Sequence, residues 1–151
     1  MSARQRWTSF VACVLGFAIV GAAESGAPRD ASIWPVDEGH VVAGFGKHRG
    51  IDIAADAGTP VQAFRGGVVV SVGTVKGCGS RVQVRHGDLL ATYCNLDRIA
   101  VTEGQKVAAG AELARVAAAA PGGKAHLHFE VQSDGKHIDP MTLLPKAASA
   151  G

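Results

Sequence analysis

The chain has 151 residues, a length that corresponds to one domain with a hydrophobic core. It contains 15 basic and 13 acidic residues, and the loss of Arg4 and Arg6 with an N-terminal signal would bring the net charge of the mature chain near zero. No basic stripe interleaved with aromatic residues occurs in the sequence, so we expect no nucleic-acid partner.

The first 23 residues have the pattern of a secretory signal peptide. A basic start at Arg4 and Arg6 precedes a mostly apolar stretch over 8–20, and a Gly-Ala-Ala sequence predicts cleavage after Ala23. The alternatives are an uncleaved membrane anchor, for which the apolar stretch is shorter than the roughly 20 residues required, and a lipoprotein signal ending at Cys13. We expect cleavage, and hence a periplasmic or secreted protein without a stable membrane span.

Short predicted strands broken by glycines make up most of the remaining sequence. Residues 24–32 are small and polar and predict a flexible leader, whereas residues 33–145 predict a single all-β domain and residues 146–151 a disordered tail. Alternating side chains over 81–86, followed by a turn at His86-Gly87-Asp88, indicate an antiparallel hairpin. The predicted architecture is a small antiparallel sheet with glycine-rich turns, folded on itself as a sandwich.

Two cysteines remain after signal cleavage, and both flank this hairpin. In an oxidising compartment Cys78 and Cys94 can form a disulfide, which contributes about 3 kcal/mol for a loop of this size in the chain-entropy model. Two buried free thiols are the alternative. Because both cysteines flank the predicted hairpin, we expect the disulfide. Zinc binding by these two residues is not expected, since they lack the close spacing of a thiolate site.

Histidines occupy one face of the last strong strand, which is predicted over residues 125–132. Its apolar and polar residues alternate: Leu127, Phe129 and Val131 with His126, His128 and Glu130. The apolar set should face the core and the polar set a groove. A buried, merely structural pair of histidines is the alternative, which explains one histidine better than both.

A second polar pair lies upstream of this strand. His48 and Asp52 are four residues apart, so both side chains can share one face of a strand. Two imidazoles and one carboxylate that leave a fourth position open are a ligand set of catalytic zinc. Together with His126 and His128, the pair therefore predicts a metallohydrolase.

A series of motifs between residues 34 and 140 occurs in the same order in a known protein family. These motifs are Gly44-Phe45-Gly46, His48-x-Gly50-Ile51-Asp52-Ile53-Ala54, Gly58-Thr59-Pro60-Val61, Val84-x-His86-Gly87, Tyr93-x-x-Leu96, Gly104-Gln105-x-Val107 and His126-Leu127-His128-Phe129-Glu130-Val131. In them the chain resembles the lysostaphin-type zinc metalloendopeptidases, which cut the peptide part of bacterial peptidoglycan. The resemblance implies the β-sheet core of these peptidases.

The resemblance also implies roles for four residues. His48, Asp52 and His128 would be the ligands of one Zn²⁺ ion per chain, and His126 would lie beside the metal as a catalytic histidine. In such a site zinc polarises the scissile carbonyl and acidifies water, while His126 moves protons or stabilises the tetrahedral oxyanion. The implied substrates are stem or cross-bridge peptides of peptidoglycan.

The other polar residues of these motifs are expected to play lesser roles. Glu130 shares the groove face by parity, and we expect it beside the site or at the surface. His86 belongs to a His-Gly turn and is expected to be structural. His40 and His137 have no partner by sequence and are expected to be exposed to solvent.

One position of the active site departs from the family. Where the family usually has Tyr-x-His-Leu, the chain has Tyr93-Cys94-Asn95-Leu96, so Asn95 replaces a second catalytic histidine. An amide can hydrogen-bond water or an oxyanion, but it cannot accept and return a proton. One acid or base contributes about 10²- to 10⁴-fold of a total acceleration of roughly 10⁶-fold or more, so we expect a weakened enzyme. Lys47 and residues 117–125 also depart from the family, which leaves the substrate choice open.

The sequence is therefore compatible with two functions. The first is an exported zinc metalloendopeptidase of peptidoglycan, favoured by the intact His48, Asp52, His126 and His128. The alternative is a catalytically degenerate, zinc-stabilised module that binds cell wall or regulates a partner wall hydrolase, which Asn95 favours. A lipoyl- or biotin-carrier-like module is not expected, because no lysine lies at a suitable hairpin tip.

Overall fold

The computed structural model describes residues 31–146. The predicted signal peptide, most of the predicted leader and most of the predicted tail lie outside the described residues. At the start of the described part, Arg65 Nε donates a hydrogen bond to Ser32 Oγ over 2.6 Å. Residues 31–146 include no helix that is long and apolar enough to cross a membrane.

The described residues form ten β-strands and one 3-10 turn at Pro140–Thr142. In chain order the strands are β1 (His40–Ala43), β2 (Ile51–Ala54), β3 (Pro60–Gln62), β4 (Gly67–Val75), β5 (Gly79–His86), β6 (Leu89–Asp97), β7 (Lys106–Val107), β8 (Glu112–Val116), β9 (His126–Ser133) and β10 (Lys136–Ile138). All the paired strands are antiparallel. The predicted all-β antiparallel fold is confirmed.

The main sheet has the strand order β1-β2-β9-β6-β5-β4-β7. β10 pairs with β9 beside this path, while β3 pairs with β8, which also pairs with the end of β6. The hairpin predicted around His86-Gly87-Asp88 is formed by β5 and β6, and His86 pairs with Leu89 at its turn. β9 lies between β2 and β6, so the histidine-bearing strand has a neighbour on both sides.

Alternation along the central strands sorts their side chains onto two faces. The core face carries the fully buried residues Ile51, Ile53, Val82, Val84, Tyr93, Leu127, Phe129 and Val131. Phe64, which follows β3, packs on Phe129 with 5.4 Å between ring centroids, and its N–H donates to Tyr93 Oη over 3.0 Å. Burial of each large apolar side chain contributes about 1.5–3 kcal/mol, and this fixes which face of the sheet remains for the groove.

The opposite face of the sheet carries polar side chains in two neighbouring rows. The first, which we call the Asp52 row, consists of the cross-strand neighbours Asp52, His128 and Cys94. The second, the Glu130 row, consists of the cross-strand neighbours Glu130, Thr92 and Gln83. Because residues two apart in a strand are separated by about 7 Å, the two rows lie side by side on the groove face.

Gly50 explains the close approach of β2 to β9. A Cβ atom at this position would overlap the backbone carbonyl of Phe129. Gly50 is buried, and Ile51 directly after it pairs with Phe129. The glycine of the His-x-Gly-Ile-Asp motif therefore allows this motif to lie beside His128.

Candidate functional site

Three of the predicted site residues converge on one point of the groove. One donor atom each of His48, Asp52 and His128 lies within 4.8 Å of the other two. Asp52 Oδ1 is 2.7 Å from His128 Nδ1 and 3.3 Å from His48 Nε2. The Nε2 atom of His48 is buried, and apart from Asp52 Oδ1 it has no hydrogen-bond partner among the described residues. An imidazole nitrogen of this kind beside a carboxylate and a second imidazole could ligate a metal ion.

The charges around this point support an anionic Asp52. Burial by itself would raise the pKa of Asp52, but hydrogen bonds with His128 and His48 hold it below its ordinary value. Burial by itself would lower the pKa of His128, but the carboxylates of Glu130 and Asp52 raise it above its ordinary value. The Asp52 carboxylate is therefore ionised at neutral pH, as an oxygen ligand must be.

Glu130 bridges two histidines at the edge of this cluster. Its Oε1 atom is 2.9 Å from His128 Nε2, and its Oε2 atom is 3.0 Å from His137 Nε2. The expectation that His137 is exposed to solvent is wrong, because only 22% of its side chain is accessible and β10 brings it beside Glu130. When His128 Nε2 donates to Glu130, the lone pair of His128 is at Nδ1, which faces Asp52.

Asn95 contacts the predicted catalytic histidine directly. Asn95 Nδ2 is 3.1 Å from His126 Nε2, and His126 Nδ1 is 3.0 Å from the carbonyl oxygen of Lys124. A carbonyl oxygen only accepts hydrogen bonds, so Nδ1 carries the proton and Nε2 of the neutral ring accepts from the amide. When Nε2 is protonated, the amide can turn and present Oδ1 to it. Asn95 can thus hold His126 in either protonation state without exchanging a proton itself.

The backbone around Asn95 is irregular and is held from two sides. Asn95 has a φ of 63°, in the left-handed region that asparagine and histidine adopt more readily than most residues. Its N–H donates to the carbonyl of Cys78 over 2.9 Å, and its carbonyl accepts from the N–H of Ala117 over 2.8 Å. The sulfur atoms of Cys78 and Cys94 lie at bonding distance, with Cα atoms 5.1 Å apart. The predicted disulfide pair therefore lies directly beside Asn95.

Two further histidines lie outside this arrangement. His86 is 5% exposed, donates from Nδ1 to the carbonyl of Gly66 over 3.0 Å, and meets the Phe64 ring edge-on. Burial lowers the pKa of His86 to about 4, so its ring is neutral at pH 7. This environment agrees with the structural role expected for His86. His40 is exposed, as expected, at the start of β1.

Comparison with known proteins places the chain in one family. Peptidase family M23 matches residues 46–140. The murein hydrolase activator NlpD of Salmonella dublin is 35% identical over 126 residues, which are 80% of this chain and 33% of that protein. The outer membrane antigenic lipoprotein B of Haemophilus influenzae is 34% identical over 119 residues, which are 75% of this chain and 29% of that protein. The crystal structure of a zinc-containing peptidase from Vibrio cholerae matches with a TM-score of 0.68 at 29% identity, covering 74% of this chain and 39% of that one.

The matched region contains both motifs of the candidate site. It extends from before His48 to the 3-10 turn after β10, and it includes all ligand candidates and His126. The chain spans about a third of the length of the two curated relatives. The family resemblance of the sequence is confirmed, and the chain belongs to peptidase family M23.

Proposed function

We propose that the chain is an exported zinc metalloendopeptidase that hydrolyses peptide bonds of bacterial peptidoglycan at a reduced rate. The proposal rests on the convergence of His48, Asp52 and His128. His126 lies two residues before His128, on the same face of β9. Membership of peptidase family M23 and the similarity to a zinc-containing peptidase support it. The chain spans about a third of the length of its curated relatives, so the activities of those whole proteins are not used as support.

The three converging donors fit a zinc ion. Two imidazoles and one carboxylate are a catalytic zinc set, because they leave a coordination position for substrate or water. The buried Nε2 atom of His48, which faces Asp52 Oδ1 and has no other partner among the described residues, agrees with this assignment. When bound, zinc supplies Lewis acidity, which polarises a carbonyl and acidifies water. Glu130 would keep the ring of His128 oriented toward the ion through Nε2.

His126 is the residue that we assign to proton transfer. The carbonyl of Lys124 holds the proton of its Nδ1 atom, so Nε2 is the atom that takes up and returns a proton. To do so, Nε2 exchanges the Asn95 amide for water or a leaving amine. Once protonated at Nε2, the ring can also donate to a developing oxyanion.

Asn95 is the reason for the reduced rate. Its amide can orient His126 and donate to an oxyanion, but it offers no second site of proton transfer. One missing acid or base of this kind costs about 10²- to 10⁴-fold, which slows a zinc hydrolase without abolishing its activity.

A non-catalytic role is the second candidate. Asn95 favours it, and the similar protein of Salmonella dublin is named a murein hydrolase activator. In this role the zinc centre would stabilise a module that binds cell wall or regulates a partner wall hydrolase. Only the peptidase candidate requires His126 Nε2 to move a proton, so the two candidates differ in a measurable property.

The proposal predicts zinc and slow turnover in the same sample. We expect about one Zn²⁺ per chain and slow release of muropeptides that a chelator stops and added zinc restores. His128→Ala should lose both zinc and release, because it removes a ligand. His40→Ala, which changes an exposed histidine outside the cluster, should keep both.

Two results would contradict the peptidase candidate. One is bound zinc without any release from several types of cell wall. The other is activation of a partner hydrolase to the same extent by the wild type and by His126→Ala. Either result would favour the regulatory module.

A further inference from the structure

A basic pocket lies beside the metal-binding cluster on the groove face. Its volume is about 360 Å³, and it is bordered by the turn between β4 and β5 and by the Glu130 row. Three cationic side chains line it: Arg49 next to His48, Lys76 in the β4–β5 turn, and Arg81 on β5. The pocket therefore concentrates positive charge next to the candidate site of hydrolysis.

The positive charge of this pocket is not balanced within the described part of the chain. Within residues 31–146, no carboxylate lies within 4.0 Å of the charged nitrogens of Arg49, Lys76 or Arg81. Arg81 has one long hydrogen bond, from Nη2 to Ser71 Oγ at 3.3 Å, and its buried Nε atom has no partner there.

Among the described residues, Glu130 is the one acidic residue that lines the pocket, and it forms no ion pair with the three cations. Both of its carboxylate oxygens are engaged by histidines, Oε1 by His128 and Oε2 by His137. The three cations are thus free to bind an anion from outside. A planar guanidinium such as that of Arg81 favours a carboxylate, which it can bind through two parallel hydrogen bonds.

The pocket lies within the reach of a peptide bound at the metal centre. The Glu130 row is about 7 Å from the Asp52 row along β9, and β5 is two strands, or about 10 Å, from β9. An extended peptide spans about 3.3–3.6 Å per residue. A carboxylate in the pocket would therefore belong to a residue about two to four positions from the bond held at the metal centre.

A second pocket, just before the start of β9, has a net negative formal charge. This pocket, next to Ala125, is lined by the acidic residues Asp37, Glu38 and Asp56 and by one lysine, Lys124. Like charges repel, so this pocket disfavours a substrate carboxylate. The charge contrast between the two pockets would favour one orientation of an anionic peptide.

We propose that the pocket lined by Arg49, Lys76 and Arg81 is a subsite for a carboxylate of the peptide substrate. This inference rests on the proposed binding of peptidoglycan peptides in the groove and names the chemical feature that orients them. It predicts that peptides with a free carboxylate two to four residues from the scissile bond bind better than amidated ones.

The test measures binding, without cleavage, in the presence of a chelator so that no metal ion can hold the carboxylate. The probes are a synthetic peptidoglycan stem tetrapeptide with free carboxylates and the same peptide with its carboxylates amidated. At low ionic strength we expect the wild type to bind the free form about tenfold more tightly. Lys76→Gln and Arg81→Gln should each reduce this preference about threefold, and added salt should reduce it further. Lys106→Gln, which removes an exposed cation on β7 outside the pocket, should leave it unchanged.

The outcomes separate this inference from the proposed hydrolysis. The subsite proposal would be overturned by equal binding of both forms or by no binding of either form. It would also be overturned by a preference for the free form that survives in both pocket variants. A preference that depends on Lys76 and Arg81 in a protein that releases no muropeptides would support the subsite and contradict the peptidase. Lys76 lies in an exposed turn, so its substitution tests the pocket even where Arg81→Gln disturbs folding.

Discussion

The proposed metal-binding part of the groove and its proposed proton-transfer part differ in how closely they follow the family pattern. The metal-binding part, formed by His48, Asp52 and His128, retains every expected donor. The proton-transfer part, formed by His126 and Asn95, has an amide where a second titratable ring is usual. From this difference we expect metal binding and turnover to be separable in this chain, so a measurement of one does not establish the other.

The two parts also depend on different structural supports. Asp52 and His128 lie opposite each other within regular strands, so the pairing of β2 with β9 positions them. Asn95 has a positive φ and is held by hydrogen bonds to Cys78 and Ala117, next to the Cys78–Cys94 pair. A change in one part should therefore leave the other largely intact.

The largest expected effect is a gain of activity in Asn95→His. Histidine tolerates the left-handed backbone at this position, and its ring supplies the proton-transfer group that the amide lacks. We expect muropeptide release to rise by about 10²-fold or more, while the zinc content stays unchanged. Initial rates of release and metal content on the same samples check this.

Asn95→Gln is the matched control, because it keeps an amide and adds no titratable group. It should show no gain. An Asn95→His protein that binds zinc but remains inactive would mean that the missing histidine is not what limits turnover, and the regulatory module would become the better assignment.

A smaller effect is expected from opening the Cys78–Cys94 bridge. For a sequence separation of 16, the chain-entropy model predicts that its loss lowers the free energy of unfolding by about 3 kcal/mol. None of His48, Asp52 and His128 lies within the bridged segment, so zinc should remain bound to the folded fraction. Urea unfolding with and without reductant measures the first quantity, and metal analysis the second.

Alkylation in denaturant provides the control for the bridge. Without reductant, neither Cys78 nor Cys94 should be labelled, and with reductant both should be. Labelling of both thiols in the unreduced protein would show that they are not bonded, and the expected loss of stability would then be absent.

Local patterns in the sequence predict the faces of the strands but not their neighbours. The alternation around His126 and His128 correctly separates the core face from the groove face, because the side-chain period of a strand is two. The pairing of Asp52 with His128 joins residues that are far apart in the chain, and no local pattern specifies it. Only the family resemblance predicts that these two residues belong to one site. The contact of Asn95 with His126 was not predicted, because it depends on an irregular backbone at the end of β6.

The sequence just before His137 contains a hairpin signal, the dipeptide Asp134-Gly135. Asp134 and Gly135 connect β9 to β10, and both have positive φ, as in the tight hairpin turns that Asp-Gly favours. This turn pairs His137 with Gln132 and so brings it near Glu130. Reading the Asp-Gly turn as a hairpin would have placed His137 on a strand paired with β9 rather than in solvent.

The smallest expected effect concerns the metal-binding part alone. His137→Ala removes the partner of Glu130 Oε2, which leaves Glu130 less firmly placed to orient His128. Groups that orient metal ligands typically contribute 10- to 100-fold to affinity, and for a residue one contact further away we expect zinc to bind about tenfold more weakly. Competition with a chromophoric chelator measures this affinity. His137→Gln retains a donor and should recover part of it, whereas His40→Ala should change nothing. An unchanged zinc affinity in His137→Ala, with normal folding, would show that Glu130 is positioned without His137.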